Sequence, residues 1–130
     1  FIRLEMRKNK ENFLPKLVHQ LCIKGALIAG SRAEKLAFPL FNEDLETRDY
    51  DLLVPYNKWS DIVLLIPKDA TINSFGGWKF KTLDVDGINL VEVDLWVDDP
   101  MNYLTSLPKG TCLYDYIKNR IYYSCFKTEL

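Results

Sequence analysis

Asp49, Asp51 and Asp94 are the residues of this chain whose type and spacing carry chemistry. Asp49 and Asp51 are separated by one residue and run into the apolar stretch Leu52-Leu53-Val54. Side chains two apart in a strand project from the same face, so a strand here sets two carboxylates side by side. Close carboxylates repel one another and need a cation to stay ionised. Asp94, on a neighbouring strand within Val91-Glu92-Val93-Asp94-Leu95-Trp96-Val97, supplies a third carboxylate. An oxygen-rich set of this kind suits Mg²⁺ or Mn²⁺ better than zinc. Glu92 points to the same side as Asp94 and is the alternative third ligand. The bland readings are a solvated strand edge for Asp49 and Asp51 and a polar outer face for Asp94.

A second feature stands upstream. Gly30-Ser31 follows the short apolar run Ala26 to Ala29. Glycine lets a backbone approach a phosphate closely, and serine adds a hydroxyl and an amide donor. Ser31 equally suits a helix N-cap, with Glu34 completing a capping box. Arg32 and Lys35 are candidate phosphate contacts as well as ordinary surface charges. Lys79 and Lys81 alternate with Trp78 and Phe80, a pattern that fits a basic, aromatic-flanked groove or a strand with one core face.

The order of these elements resembles the DNA polymerase β-like nucleotidyltransferase superfamily over residues 26 to 97: an apolar strand into Gly30-Ser31, then Asp49-Tyr50-Asp51-Leu52-Leu53-Val54, then Asp94. The resemblance implies that Gly30 and Ser31 hold nucleotide phosphates and that Asp49 and Asp51 bind both metal ions. It implies that Asp94 helps bind the ion that activates the acceptor hydroxyl, and proton acceptance is a second role for that residue. The implied reaction transfers a nucleoside monophosphate from a nucleoside triphosphate to a hydroxyl, with Mg²⁺ or Mn²⁺ as cofactor and pyrophosphate released. The acceptor is an RNA end, a protein or a small molecule. The interval from Ser31 to Asp49 is longer than is common in that superfamily and requires an extended helix or loop. A catalytically inactive module of the same fold, working through a protein or RNA partner, is the rival from another class. A metal-dependent phosphohydrolase on a different fold is the third possibility.

The elements that must position these groups follow from hydrophobic periodicity. Phe13, Leu17, Val18 and Leu21 mark a helix over residues 9 to 22, with Pro15 in its first turn and Gly25 beyond its end. Residues 32 to 48 read as a short helix and an exposed loop. Trp59, Ile62, Val63 and Ile66 repeat at helical spacing and stop before Pro67. Gly76-Gly77 signals a turn, and Asp86-Gly87 a hairpin into a strand from Ile88 to Val97. Asp98-Asp99-Pro100 opens a helix carrying Met101, Tyr103, Leu104 and Leu107, and the tyrosines near the C-terminus read as core and hairpin packing. The expected fold is α/β (α+β): a mixed, mainly antiparallel sheet of four to five strands, helices largely on one face, and the metal site at a sheet edge.

Length and composition bound the rest. One hundred and thirty residues, 48% hydrophobic and 27% charged, fit one globular domain spanning residues 1 to 130. A net charge of −1 provides no general field for polyanions, so any nucleic-acid contact must be a local basic patch. Cys22, Cys112 and Cys125 form no CxxC pair, and the lone His19 is a packed or surface residue; zinc is excluded and free thiols in a reducing compartment are expected. With no long apolar run, no membrane span is expected and the cytoplasm is the expected location.

Overall fold

The computed structural model describes residues 13–40, 49–74, 76–106 and 112–123. Helix α1 (Lys16–Ile23) begins behind Pro15 and buries Val18, Leu21 and Cys22. Pro15 supplies an extended φ, ψ and no N–H, which suits the entry of a helix. Phe13 lies before the helix and is exposed; Leu14 takes the buried place instead. At the other end Gly25, at φ +117°, receives the chain: its amide donates to Cys22 O and the amide of Ala26 to Leu21 O. This paired closure satisfies two carbonyls at the helix terminus and turns the chain directly into strand β1 (Leu27–Ala29).

Helix α2 (Gly30–Ala37) follows with no intervening loop and buries Ala33, Leu36 and Ala37. Strand β2 (Tyr50–Val54) ends before Pro55. The helical segment expected from Trp59 to Ile66 is broken: one α-turn, α3 (Trp59–Ile62), sits between 3₁₀ turns at Tyr56–Lys58 and Val63–Leu65. Pro55 and Pro67 bracket the segment, and the β-branched Ile62, Val63 and Ile66 carry low helix propensity. Ile62 is fully buried, Val63 is exposed, and the Trp59 ring stacks on Trp78 with centroids 4.8 Å apart.

Strands β3 (Thr71–Ile72), β4 (Trp78–Leu83) and β5 (Leu90–Val97) come next. Asp86 builds the β4–β5 turn: its carboxylate accepts the amides of Ile88 (2.8 Å) and Asn89 (3.0 Å), and Gly87 takes φ +71°. That loop consumes two residues expected in the strand, so β5 starts at Leu90. Helix α4 (Pro100–Ser106) begins where the Asp-Asp-Pro signal places it. Strands β6 (Cys112–Asp115) and β7 (Arg120–Tyr123) form a hairpin whose turn holds Asn119 at φ 54°. Leu107 and Cys125 lie outside the described residues.

The strands make one seven-stranded sheet in the order β3-β4-β5-β2-β1-β6-β7. Five of its six pairings are antiparallel, and β2 with β5 is parallel. The mixed, mainly antiparallel sheet is as expected, but it is wider than four to five strands. The β6–β7 hairpin docks on β1 and the two-residue β3 extends the other edge. Strand β2 is therefore the central strand, and Asp51 lies in mid-sheet rather than at an edge.

Alternation sorts the side chains into two layers. Ile28, Tyr50, Leu52, Val54, Val93, Leu95 and Tyr114 pack in one core with residues from α1, α2 and α3. Leu27, Ala29, Leu53 and Leu113 meet Leu104 of α4, with Trp96 and Tyr103 against them, on the opposite face. Most helical cover is on one face; the acidic residues share the other with α4. Among the described residues no helix is long and apolar enough to cross a membrane. Leu52, with no solvent exposure, anchors the larger core from the middle of the sheet. Leu52→Ala is expected to lower unfolding stability by about 2–5 kcal/mol, read from urea denaturation.

Candidate functional site

The parallel pairing of β2 and β5 sets Tyr50 opposite Val93, Asp51 opposite Asp94 and Leu52 opposite Leu95. Neighbouring strands run about 4.8 Å apart, so Asp51 and Asp94 are immediate neighbours on one face. One step toward the start of β2, Asp49 meets Glu92: the Glu92 amide donates to Asp49 Oδ1 at 3.2 Å. The result is a two-by-two array of acids, Asp49 with Glu92 and Asp51 with Asp94. Asp49 is exposed, and the other three are half-buried.

Burial, and then the charges of Asp94, Asp49 and Glu92, raise the Asp51 carboxyl above its ordinary 3.8. Among the described residues no lysine, arginine or histidine forms an ion pair with Asp51. The nearest basic strand, β4, sets Lys79 beside Asp94 and Lys81 beside Glu92 in register, and Lys79 Nζ reaches Glu92 Oε2 at 3.7 Å. The alternation of Lys79 and Lys81 with Trp78 and Phe80 is thus a strand with one core face, whose charged face borders the acids.

Gly30 ties the start of α2 to these acids. Ala29 is the register partner of Asp51 on β1, so the next residue turns over the carboxylate. Gly30 has φ +68°, and a Cβ there would lie 2.9 Å from Asp51 Oδ2. The positive φ calls for glycine, and a Cβ there would also push the Asp51 carboxylate aside. The helix N-cap is Ala29, which brings no side-chain cap. Ser31 is therefore the second residue inside α2 rather than its cap, and the expected capping box with Glu34 does not form; Gly30 already takes up the helical turn. Ser31 is exposed beside Gly30. Arg32 goes the other way: its guanidinium stands 4.1 Å over the Tyr50 ring. Tyr50 alternates with Asp51, so this contact is on the core face of β2. Burial pushes the Tyr50 phenol up to about 12, against the opposing pull of Arg32. His19 packs edge-on to Tyr116, and Cys22 and Cys112 are buried.

Two aromatic residues wall the acidic face toward α4. Trp96 is two residues beyond Asp94 on the same face, and its ring lies 5.6 Å from that of Tyr103. Burial and then the charge of Asp51 raise the Tyr103 phenol, which places it within electrostatic reach of the carboxylate. Sequence reasoning missed Tyr103 as a neighbour of the site, because α4 shows only a core periodicity. It also missed Asn73, whose side-chain amide lies 3.3 Å from Asp94 Oδ1. A lone asparagine after a two-residue strand emits no pattern.

The donor set suits a hard divalent cation, all of it carboxylate oxygen around an Asp51 whose neighbours oppose its ionisation. As the side chains stand, no group of three or more His, Cys, Asp or Glu among the described residues is placed to hold a metal ion. Asp49, Asp51 and Asp94 share a face without surrounding a common point, and strand register makes Asp51–Asp94 the adjacent pair.

Two outcomes follow. Gly30→Ala is expected to destabilise the chain by about 1–3 kcal/mol through its positive φ, and also to displace the Asp51 carboxylate; denaturant unfolding and Mn²⁺ titration read the two effects. The folded chain keeps the Asp51 proton at pH values where the unfolded chain has lost it, so ionisation there costs stability as pH rises through that window. Asp51→Asn is therefore expected to melt above wild type at neutral pH without divalent ions, the gap closing below pH 3.8. No family model, curated protein or solved structure matches the chain, so its chemistry rests on these residues and their geometry.

Proposed function

We propose that this chain is a metal-dependent nucleotidyltransferase that moves a nucleoside monophosphate from a nucleoside triphosphate to a hydroxyl on an RNA end, a protein or a small molecule. The observation that carries the reading is the register of Asp51 with Asp94 directly against Gly30 at the start of α2. Carboxylates for a cation and backbone donors for phosphate are thereby joined at one point on the sheet.

Each residue's part follows from its place. Asp51, next to both Asp94 and Gly30, is the shared ligand, with Asp49 and Asp94 on either side of it. Mg²⁺ or Mn²⁺, when bound, supplies charge neutralisation for the attacking and leaving oxygens of an in-line displacement. The uncapped first-turn amides of α2 and the exposed Ser31 hydroxyl bind and orient the triphosphate oxygens. Asp94 borders the acceptor side and is the proton acceptor for the attacking hydroxyl. Arg32, stacked on Tyr50, fixes α2 against β2 and serves the phosphate site by holding that helix in place. Glu92 is engaged by Lys79, which favours Asp94 over Glu92 as the third ligand.

One observation favours a second reading, a catalytically inactive module of the same fold acting through a protein or RNA partner: three of the carboxylates do not converge as they stand. Incubation with Mg²⁺ and labelled nucleoside triphosphates separates the two. The enzyme reading expects pyrophosphate release and labelling of an acceptor in lysate, and loss of at least about a hundredfold in rate in Asp51→Ala. A chain that binds no triphosphate and labels nothing, with metal binding unchanged in Asp51→Ala, is not this enzyme.

A further inference from the structure

Asn73 is a buried polar side chain, 8% exposed, placed by β3 at the end of the β4–β5 pair. Its two ends have different partners. The carbonyl oxygen Oδ1 accepts the backbone amide of Gly77 at 2.8 Å, and the backbone N–H of Asn73 donates to Gly77 O at 3.1 Å. The Nδ2 end meets three oxygens: Trp78 O at 3.0 Å, Asp94 Oδ1 at 3.3 Å and Leu95 O at 3.4 Å. A flipped amide would aim its carbonyl at those three acceptors and its NH₂ at the Gly77 donor, so only one orientation satisfies the group. Gly77 makes the arrangement possible: a Cβ at this residue would fall 1.9 Å from Leu95 O, so only glycine brings its amide this close to β5.

We propose that Asn73 is a positioning residue for Asp94: its locked amide holds Asp94 Oδ1 and leaves Oδ2 turned toward Asp51 for the cation and the attacking hydroxyl. The inference rests on the proposed nucleotidyl-transfer site. The partners along β4 explain why a neutral amide sits here. Lys79 is the register neighbour of Asp94, yet its ammonium pairs with Glu92. Among the described residues Asp94 thus receives an orienting hydrogen bond without a neutralising charge, which leaves its carboxylate available to an ion. Groups that orient a ligand from behind contribute to affinity through that ligand's geometry.

The test uses the full chain and Mn²⁺ alone, with binding followed by electron paramagnetic resonance and folding by thermal melting. Asn73→Ala and Asn73→Ser are both expected to weaken Mn²⁺ binding about tenfold, beyond any fall in melting temperature. A melting temperature that falls while Mn²⁺ affinity stays within twofold of wild type means that Asn73 only braces the strands, and overturns the proposal. A second arm needs no change at position 73. The side-chain amide protons of Asn73 should shift in the NMR spectrum of Asp94→Ala; unmoved resonances overturn the contact itself. If the wild-type chain binds no Mn²⁺, the functional reading falls, and this second arm still decides whether Asn73 holds Asp94.

Discussion

The parallel contact between β2 and β5 is the constraint on which the rest depends. It is the sheet's one parallel pairing among the described strands, and it brings Asp51 and Asp94 side by side in the same register that buries Tyr50, Leu52 and Val54 beneath them. A slip of one residue would exchange the two faces, putting acids into the core and leucines into solvent. The apolar face therefore enforces the acidic one. Burial of Asp51, and then repulsion from the neighbouring acids, is the cost, and it is visible in the raised Asp51 carboxyl. The core supplies the stability that lets such a group persist.

Everything around the pair adapts to this arrangement. Strand β1 hands the chain to α2 without a loop, so the first helical residue lies over Asp51 and has to be glycine. Arg32 is drawn to the core face, where its guanidinium covers Tyr50. Helix α4 covers only part of the acidic face, through Leu104 and Tyr103, and leaves three of the acids half-buried and Asp49 exposed. On the β4 side a lysine and an asparagine divide the work, one pairing Glu92 and the other holding Asp94.

Local patterns made much of this legible in the sequence. The alternation of Val91, Val93 and Leu95 with Glu92, Asp94 and Trp96 fixed the faces of β5, and Asp-Tyr-Asp before three apolar residues fixed those of β2. The glycine after an apolar run marked the β1–α2 junction. What sequence could not supply was pairing between distant segments. The β6–β7 hairpin reads as tyrosine-rich packing, and nothing local says that β6 joins β1, yet that pairing widens the sheet beyond β1 and makes β2 its central strand. Two-residue β3 is too short for periodicity, so Asn73 was invisible. Ser31 carried a capping signal that lost to tertiary context: Gly30 at positive φ started the helix two residues earlier than a Ser31 cap would.

The central claim is that the Asp51–Asp94 pair and the start of α2 together form one site for a divalent ion and a triphosphate. A crystal of the chain soaked with Mn²⁺ and a non-hydrolysable nucleoside triphosphate tests it directly. Anomalous density for Mn²⁺ is expected between the Asp51 and Asp94 carboxylates, with phosphate oxygens at the Gly30 and Ser31 amides. Mn²⁺ bound elsewhere, or a triphosphate distant from Gly30, would contradict it.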